Sequence, residues 1–187
     1  MAQNQENLLL RGTSGTIDKM ITYRQRAGKT IVSKKRGKSS VPATAVQLSI
    51  QERFKKAVAW AKGAIKDAVV KAKYQAKAAL GQSAFNVATV DAYNPPKVES
   101  IDTANYHGAA GDTILVKATD DFAITGLTVS VANAAGDLIE SGDAVMQVNE
   151  TDWLYTATKA NAALAGSKIT ATAKDGPGNV TAFSVTL

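Results

Sequence analysis

Residues 15–38 read GTIDKMITYRQRAGKTIVSKKRGK, in which two runs of β-forming residues flank a glycine turn. Glycine readily adopts the positive φ of a hairpin turn, so the turn is predicted at Ala27-Gly28 and the returning strand at residues 30–33. Successive side chains of a strand point to opposite faces of the sheet. One face of the first run is therefore predicted to carry Ile17, Lys19, Ile21 and Tyr23.

This hairpin is strongly basic and has too few apolar residues to form a core of its own. Because an isolated two-stranded hairpin is marginally stable in water, we interpret residues 1–42 as a basic arm that becomes stable against other subunits, present in multiple copies, of a large protein assembly. The predicted assembly interface consists of Ile17, Ile21, Tyr23, Arg24, Arg26, Lys29, Ile31, Val32, Lys34, Lys35 and Arg36.

The net charge of +6 conceals an uneven distribution along the chain. Residues 1–97 hold 18 Lys and Arg against 5 Asp and Glu, a net charge of +13, whereas residues 98–187 hold 4 against 11, a net charge of −7. The basic part suits an acidic partner, and contacts between the arm and nucleic-acid phosphates remain open as an alternative. For the helical part, the simpler alternative is that lysines only solvate an alanine-rich surface.

The residue types that enzymes use for covalent and metal chemistry are sparse. The 187-residue chain has no cysteine and one histidine, His107, which lies in a predicted turn. The composition excludes disulfides, zinc–thiolate sites and a cysteine nucleophile. No nucleotide-binding or hydrolase motif is present. We therefore expect a protein that is not an enzyme and that has no cofactor.

A helical region is predicted at residues 43–96. Thr44 and Gln47 fit a capping box, and apolar residues then recur at three- and four-residue spacing, which indicates one helical stripe. This stripe carries Val46, Ile50, Phe54, Val58, Ala61 and Ile65. Two further helices are predicted at residues 67–80 and 83–93, and two consecutive prolines end the region.

Residues 97–187 alternate short β-rich runs with turns. The seven predicted strands cover residues 98–102, 113–119, 124–132, 137–141, 153–158, 168–174 and 180–187. Their number and their alternating apolar residues predict an immunoglobulin-like β-sandwich, with Trp153 and Phe183 among the core residues. The predicted fold class is therefore α+β: a β-hairpin arm, a short α-helical stem and an immunoglobulin-like sandwich.

Two parts of the chain resemble known groups of proteins. Residues 171–175 read ATAKD and precede Gly178-Asn179, which resembles the final hairpin of bacterial immunoglobulin-like modules. The front half carries GTI at 15–17, YR at 23–24, GKTIV at 28–32, Gln47, RF at 53–54 and Ala57. That pattern resembles a group of uncharacterised proteins from Bacteroidetes-type bacteria and their phages. The resemblance implies a basic N-terminal hairpin, a helical segment and an immunoglobulin-like tail, and no settled activity.

Paired carboxylates are the chain's candidate metal ligands. Asp120 and Asp121 are adjacent, and Asp175 is predicted near the same edge of the sandwich. Carboxylate oxygens are the hard ligands that calcium prefers. Asp residues also cap turns at such positions, and we favour this alternative over a metal site.

The sequence predicts a non-enzymatic structural subunit of a large assembly, a phage virion protein of the capsid, neck or tail. Its arm would dock into the particle and its sandwich domain would project. The alternatives are a sequence-independent nucleic-acid-binding protein and an adhesin-like module. No apolar run approaches the roughly 20 residues of a membrane helix, and three leucines at residues 8–10 are too few for a signal peptide. We therefore expect the virion, or the host cytoplasm during assembly.

Overall fold

The computed structural model describes residues 2–4, 10, 12–18, 20–34, 37 and 41–187, and for residues 2–4 it describes the backbone only. Along these residues the chain forms an N-terminal antiparallel sheet, three helices and two further antiparallel sheets that pack as a sandwich. The protein is therefore of the mixed α+β class. Within these described ranges, no helix is long and apolar enough to cross a membrane.

The N-terminal sheet has four strands in the order β1-β4-β3-β2. The strands are β1 (Ala2–Asn4), β2 (Gly15–Ile17), β3 (Ile21–Arg26) and β4 (Lys29–Lys34). Strands β3 and β4 are joined at Ala27-Gly28, where φ is 48° and 76°. Two consecutive positive φ angles are typical of the type I′ turn, whose twist matches that of the paired strands.

The prediction of one continuous strand from residue 17 to residue 23 is wrong. A tight turn interrupts the run, because Asp18 has a φ of 46° and the Met20 amide donates to the Ile17 carbonyl at 3.0 Å. As a result, Ile17 and Ile21 lie opposite each other on neighbouring strands. Aspartate tolerates the left-handed backbone conformation, and the alternating apolar pattern concealed this turn.

Three helices follow, each beginning at a residue whose side chain caps it. They are α1 (Ala45–Ala64), α2 (Ala68–Lys77) and α3 (Ala84–Tyr93). The capping box predicted from Thr44 and Gln47 is confirmed, since each side chain bonds the backbone amide of the other residue. Asp67 and Ser83 accept hydrogen bonds from the first amides of α2 and α3.

Only the later part of the predicted apolar stripe of α1 is buried. Within the stripe, Ala61 is 0% exposed and Val58 and Ile65 are half-buried, whereas Val46, Ile50 and Phe54 are 67%, 50% and 53% exposed. The helical core forms where α1 meets the two shorter helices, around Ala61, Tyr74, Ala84 and Ala88. The first turns of α1 thus present apolar side chains that the described part of the chain leaves exposed.

Two four-stranded antiparallel sheets form the sandwich, in the orders β5-β6-β10-β9 and β12-β11-β7-β8. The strands are β5 (Lys97–Asp102), β6 (Thr113–Thr119), β7 (Ile124–Ala132), β8 (Leu138–Asp143), β9 (Val145–Met146), β10 (Asp152–Thr156), β11 (Lys168–Asp175) and β12 (Val180–Thr186). There are eight strands rather than the predicted seven, because the two residues of β9 pair with Trp153 and Leu154.

The core of the sandwich is built from alternate residues of facing strands. The fully buried positions include Ile114, Val116, Leu127, Val129, Val131, Ile169, Ala171 and Ala173. Trp153 is buried as predicted, whereas Phe183, on the edge strand β12, is 40% exposed. The alternation of apolar residues therefore identified the core-facing positions of the central strands. It did not show that β12 lies at the edge of its sheet, where Phe183 stays partly exposed.

A buried carboxylate fixes the chain after β10. Glu140 Oε2 accepts hydrogen bonds from the Thr158 amide and hydroxyl, each at 2.8 Å, and from the Lys159 amide at 3.1 Å. Burial raises the pKa of Glu140, but these hydrogen bonds outweigh it and hold the pKa below its ordinary value. A carboxylate whose pKa is lowered by folding stabilises the protein above its unfolded pKa and loses this effect as the pH falls.

We expect Glu140→Gln to lower the free energy of unfolding at pH 7 by about 2 kcal/mol, because hydrogen bonds to charged acceptors contribute about 1.5–3 kcal/mol. The difference from wild type should shrink below about pH 4, where the unfolded carboxyl also holds a proton. Urea unfolding at pH 7 and pH 3 measures both values. Glu150→Gln, at an exposed position, is the matched control, and a pH-independent difference would contradict the role of charge.

Candidate functional site

Three carboxylates from separate elements meet where the helices contact the sandwich. Asp91 lies on α3, Asp120 directly follows β6, and Asp175 ends β11. One carboxylate oxygen of each residue lies within 4.8 Å of the corresponding oxygens of the other two. Asp91 and Asp175 are each 1% exposed, and Asp120 is half-buried. We call these three residues the carboxylate cluster.

The structure brings together two of the three candidate metal ligands, Asp120 and Asp175, and separates the third. Asp121 Oδ2 instead accepts a hydrogen bond from Asn94 Nδ2 at 2.6 Å, outside the cluster. Asp120 and Asp121 lie in the turn after β6, where adjacent side chains do not have to point to the same site. The inclusion of Asp121 is therefore wrong, and Asp91 takes its place.

Asp91 was missed although the sequence carries a signal for it. Ala84, Ala88 and Asp91 follow one another at spacings of four and three, and all three lie on the buried face of α3. Such spacing defines one helix face. An acidic residue on an apolar helix face requires polar partners in the fold, and this requirement marks Asp91 as unusual.

Burial and neighbouring charge both act on Asp91. Burial raises its pKa to about 7, and the negative charges of Asp120 and Asp175 act in the same direction. The Tyr74 hydroxyl opposes this shift by donating to Asp91 Oδ2 at 2.5 Å. Asp91 Oδ1 is buried and has no hydrogen-bond partner in the described part of the chain. One oxygen is therefore fixed and the other is left unpaired.

Asp120 shows the same division between its two oxygens. Oδ2 accepts hydrogen bonds from the Phe122 and Ala123 amides at 3.1 and 2.9 Å, which closes the turn after β6. Oδ1 is buried and, among residues 41–187 and the other described positions, finds no hydrogen-bond partner. Asp120 therefore caps the turn, as the sequence suggested, and it uses only one of its two carboxylate oxygens to do so.

Asp175 caps the turn between β11 and β12. Its Oδ1 accepts from the Gly178 and Asn179 amides at 2.8 and 2.6 Å, and its Oδ2 accepts from Asn179 Nδ2 at 2.7 Å. The same Asn179 amide nitrogen lies 3.4 Å from the Ala92 carbonyl oxygen. The turn that holds Asp175 is thus also tied to the end of α3.

The cluster concentrates negative charge without an adjacent side-chain cation. Within the described ranges, no Lys, Arg or His nitrogen lies within 4.0 Å of its oxygens. The nearby Lys77 instead donates to the Phe122 carbonyl and lies 4.8 Å from the centroid of the Phe122 ring. A surface cleft reaches Asp120 and is lined by Asn94, Pro95, Lys97, Thr119, Asp120 and Asp121. The cleft therefore reaches one member of the cluster, Asp120, whose Oδ1 is itself buried.

Most of the predicted assembly residues lie in the N-terminal sheet, whose register divides them between two faces. Ile17 pairs with Ile21, and Tyr23 pairs with Val32. These four side chains share one face, which we call the apolar face, and Lys34 lies at its end opposite Ile21. Ile17 and Ile21 are exposed, whereas Tyr23 and Val32 are half-buried.

The opposite face of the same sheet is basic. Arg24, Arg26 and Lys29 lie on it and are exposed. Ile31, which was predicted to share one assembly interface with Ile21 and Val32, pairs with Arg24, so an apolar contact surface common to all three residues is wrong. The error arose because Ile31 and Val32 are adjacent in a strand and so point to opposite faces. Two other predicted interface residues, Lys35 and Arg36, lie outside the described residues. The same holds for Lys19, which was predicted on the strand face with Ile17.

No model of a protein family and no curated protein sequence matches the chain. Among solved structures, CopC from Methylosinus trichosporium OB3b is similar over 48% of this chain and 87% of its own, with 11% identity and a TM-score of 0.35. A tetra-tandem repeat of the extending region of a large adhesion protein is similar over 49% of this chain and 22% of its own (19% identity, TM-score 0.33). An engineered protein is similar over 57% and 29%, respectively (18% identity, TM-score 0.36). Similarities at this level carry no inference about function.

We expect Tyr74→Phe to lower the free energy of unfolding by about 1–3 kcal/mol, because it leaves both oxygens of buried Asp91 without a hydrogen bond. Urea unfolding followed by circular dichroism measures the change. Tyr93→Phe is the matched control, since the Tyr93 hydroxyl makes no hydrogen bond within the described part of the chain. Equal effects of the two substitutions would show that the Tyr74–Asp91 hydrogen bond does not stabilise the fold.

Proposed function

We propose that this protein is a non-enzymatic structural subunit of a phage virion, which docks into the particle through its N-terminal sheet and projects an immunoglobulin-like sandwich domain. The observation that carries the proposal is the apolar face of that sheet. Ile17 and Ile21 are 61% and 41% exposed on a small sheet, and a contiguous exposed apolar surface is typical of a protein interface.

The energetic argument favours apolar contacts over charge. Burying one large apolar side chain contributes roughly 1.5–3 kcal/mol, so covering the exposed Ile17 and Ile21 would contribute substantially to docking, and the half-buried Tyr23 and Val32 would add less. An exposed ion pair contributes only about 0–1 kcal/mol. The strand edges add a second means of attachment, because edge β2 leaves backbone groups available to a neighbouring strand.

The first turns of α1 extend this argument to a second surface. Val46, Ile50 and Phe54 recur every four residues and are all exposed, so they form a stripe along one side of the helix. Phe54 is held edge-on against Tyr93, with ring centroids 6.4 Å apart. An ordered apolar stripe on a well-formed helix fits the groove of a neighbouring subunit.

Charge separation supports an ordered, repeated arrangement of copies. The net charge of residues 1–97 is +13 and that of residues 98–187 is −7. Opposite charges at the two ends of the chain favour one orientation against neighbouring subunits and disfavour others. The resemblance of the front half to phage-associated proteins makes the virion the assembly that we propose.

The double substitution Ile21→Asp, Val32→Asp should block incorporation into particles, because it places two charges on the apolar face that would be buried on docking. Thr22→Asp, Ile31→Asp is the matched control, since it adds the same charges at the equivalent diagonal positions of the opposite face. The measurement is the subunit content of purified particles, with circular dichroism of the free protein as a folding check. Normal incorporation of the first variant would overturn the proposed docking face.

The basic face favours a second candidate function, sequence-independent binding to nucleic acid. Arg24, Arg26 and Lys29 are exposed on one side of the sheet, and phosphate contacts by such residues release counterions and weaken steeply with salt. A few phosphate contacts of this kind carry no information about base sequence.

If the basic face binds nucleic acid, Arg24→Gln, Arg26→Gln, Lys29→Gln should reduce the affinity for duplex DNA and flatten its salt dependence, by a slope of about 0.9 per lost contact. Fluorescence anisotropy with two unrelated duplexes measures both effects. Lys117→Gln, Lys159→Gln, Lys168→Gln removes the same charge from the sandwich and should leave binding unchanged. Absence of binding by the wild type at about 50 mM salt, where such contacts are strong, would exclude this function.

A further inference from the structure

We infer that Asp91, Asp120 and Asp175 form a calcium-binding site that joins α3 to the turns after β6 and β11. The inference rests on the carboxylate cluster alone and is independent of the proposed virion function. Three elements that are distant in sequence each contribute one carboxylate. An ion at their centre would link the helical region to both sheets of the sandwich.

The distances between the oxygens satisfy the first requirement of such a site. One oxygen from each carboxylate lies within 4.8 Å of the other two. Calcium binds oxygen at 2.3–2.6 Å, so two of its ligands are separated by at most about 4.6–5.2 Å. The three carboxylates are therefore close enough together to share one calcium ion.

The oxygens that remain unpaired satisfy the second requirement. Asp91 is 1% exposed, Tyr74 occupies its Oδ2, and its Oδ1 is buried without a hydrogen-bond partner in the described part of the chain. Asp120 Oδ1 is likewise buried without a hydrogen-bond partner in the described part of the chain, since the Phe122 and Ala123 amides donate to Oδ2. An unpaired buried carboxylate oxygen is costly, and two of them in one cluster favour the uptake of a proton or a cation.

The surrounding contacts hold the three carboxylates in place before any ion arrives. Tyr74 orients Asp91, the turn amides orient Asp120, and the amides of Gly178 and Asn179 orient Asp175. Groups that orient metal ligands in this way commonly raise the affinity for the ion by 10–100-fold. Asp175 accepts hydrogen bonds on both oxygens, and a carboxylate has about four lone-pair sites, so it retains capacity for a metal.

Calcium matches this site better than other common divalent ions. The donors are all carboxylate oxygens, which favour hard cations over zinc or copper. Magnesium requires near-octahedral ligands at 2.0–2.1 Å, whereas calcium accepts irregular geometry and completes its shell with water. A surface cleft borders the site at Asp120.

The test is thermal unfolding and calorimetric titration of the full chain after treatment with EDTA. Addition of about 10 mM CaCl2, which exceeds the Kd range of even weak calcium modules, should raise the melting temperature, and the same concentration of MgCl2 should raise it much less. The isosteric substitutions Asp91→Asn, Asp120→Asn and Asp175→Asn should each weaken calcium binding at least about 10-fold, since affinity depends on the number of charged ligands. Asp121→Asn is the matched control and should bind calcium like the wild type.

Terbium luminescence keeps the test decisive if a variant fails to fold. Tb³⁺ replaces Ca²⁺ at oxygen sites and emits when a nearby aromatic ring transfers energy to it, and Tyr74 contacts the cluster directly. Wild-type protein should sensitise Tb³⁺ emission, and CaCl2 should abolish it. The absence of both a thermal shift and Tb³⁺ emission would overturn the site and indicate that a shared proton occupies the cluster. Equal responses to Ca²⁺ and Mg²⁺, or an unchanged calcium response in all three Asn variants, would also overturn it.

Discussion

The burial of Asp91 is the constraint on which the joining of the helices to the sandwich depends. Its carboxylate enters a junction formed by α2, α3 and the turns after β6 and β11, and Tyr74 and Asn179 bond the groups around it. A buried carboxylate without partners would cost several kcal/mol, so the neighbouring turns must adopt conformations that present donors. The position of α3 relative to the two sheets is therefore fixed by polar contacts as much as by apolar packing.

The remainder of the structure divides into a part that completes its own core and a part that leaves apolar surface exposed. The sandwich buries alternate residues of β6, β7 and β11 between its sheets, which is the normal source of stability for such a fold. The N-terminal sheet and the first turns of α1 instead leave Ile17, Ile21, Val46 and Phe54 exposed. This contrast is the physical basis for the proposed docking role, because a surface of this kind gains stability when a partner covers it.

The two proposals concern opposite ends of the same chain and are physically compatible. An ion at the carboxylate cluster would stiffen the connection between helices and sandwich, whereas the apolar face belongs to the separate N-terminal sheet. The contacts from Asn179 to the Ala92 carbonyl and from Asn94 to Asp121 already join the end of α3 to the sandwich.

Local sequence determined the elements, because caps, glycine turns and alternating residues act within a few positions of the chain. Thr44 and Gln47 marked the start of α1, Ala27-Gly28 marked a turn, and the spacing of Ile114, Val116 and Ala118 identified a buried strand face. The tertiary structure alone decided which elements meet. The carboxylate cluster contains Asp91 and not Asp121, and Ile31 lies on the basic face of the N-terminal sheet. The physical reason is that strand register and helix docking set these neighbours, and both depend on contacts between residues far apart in the sequence.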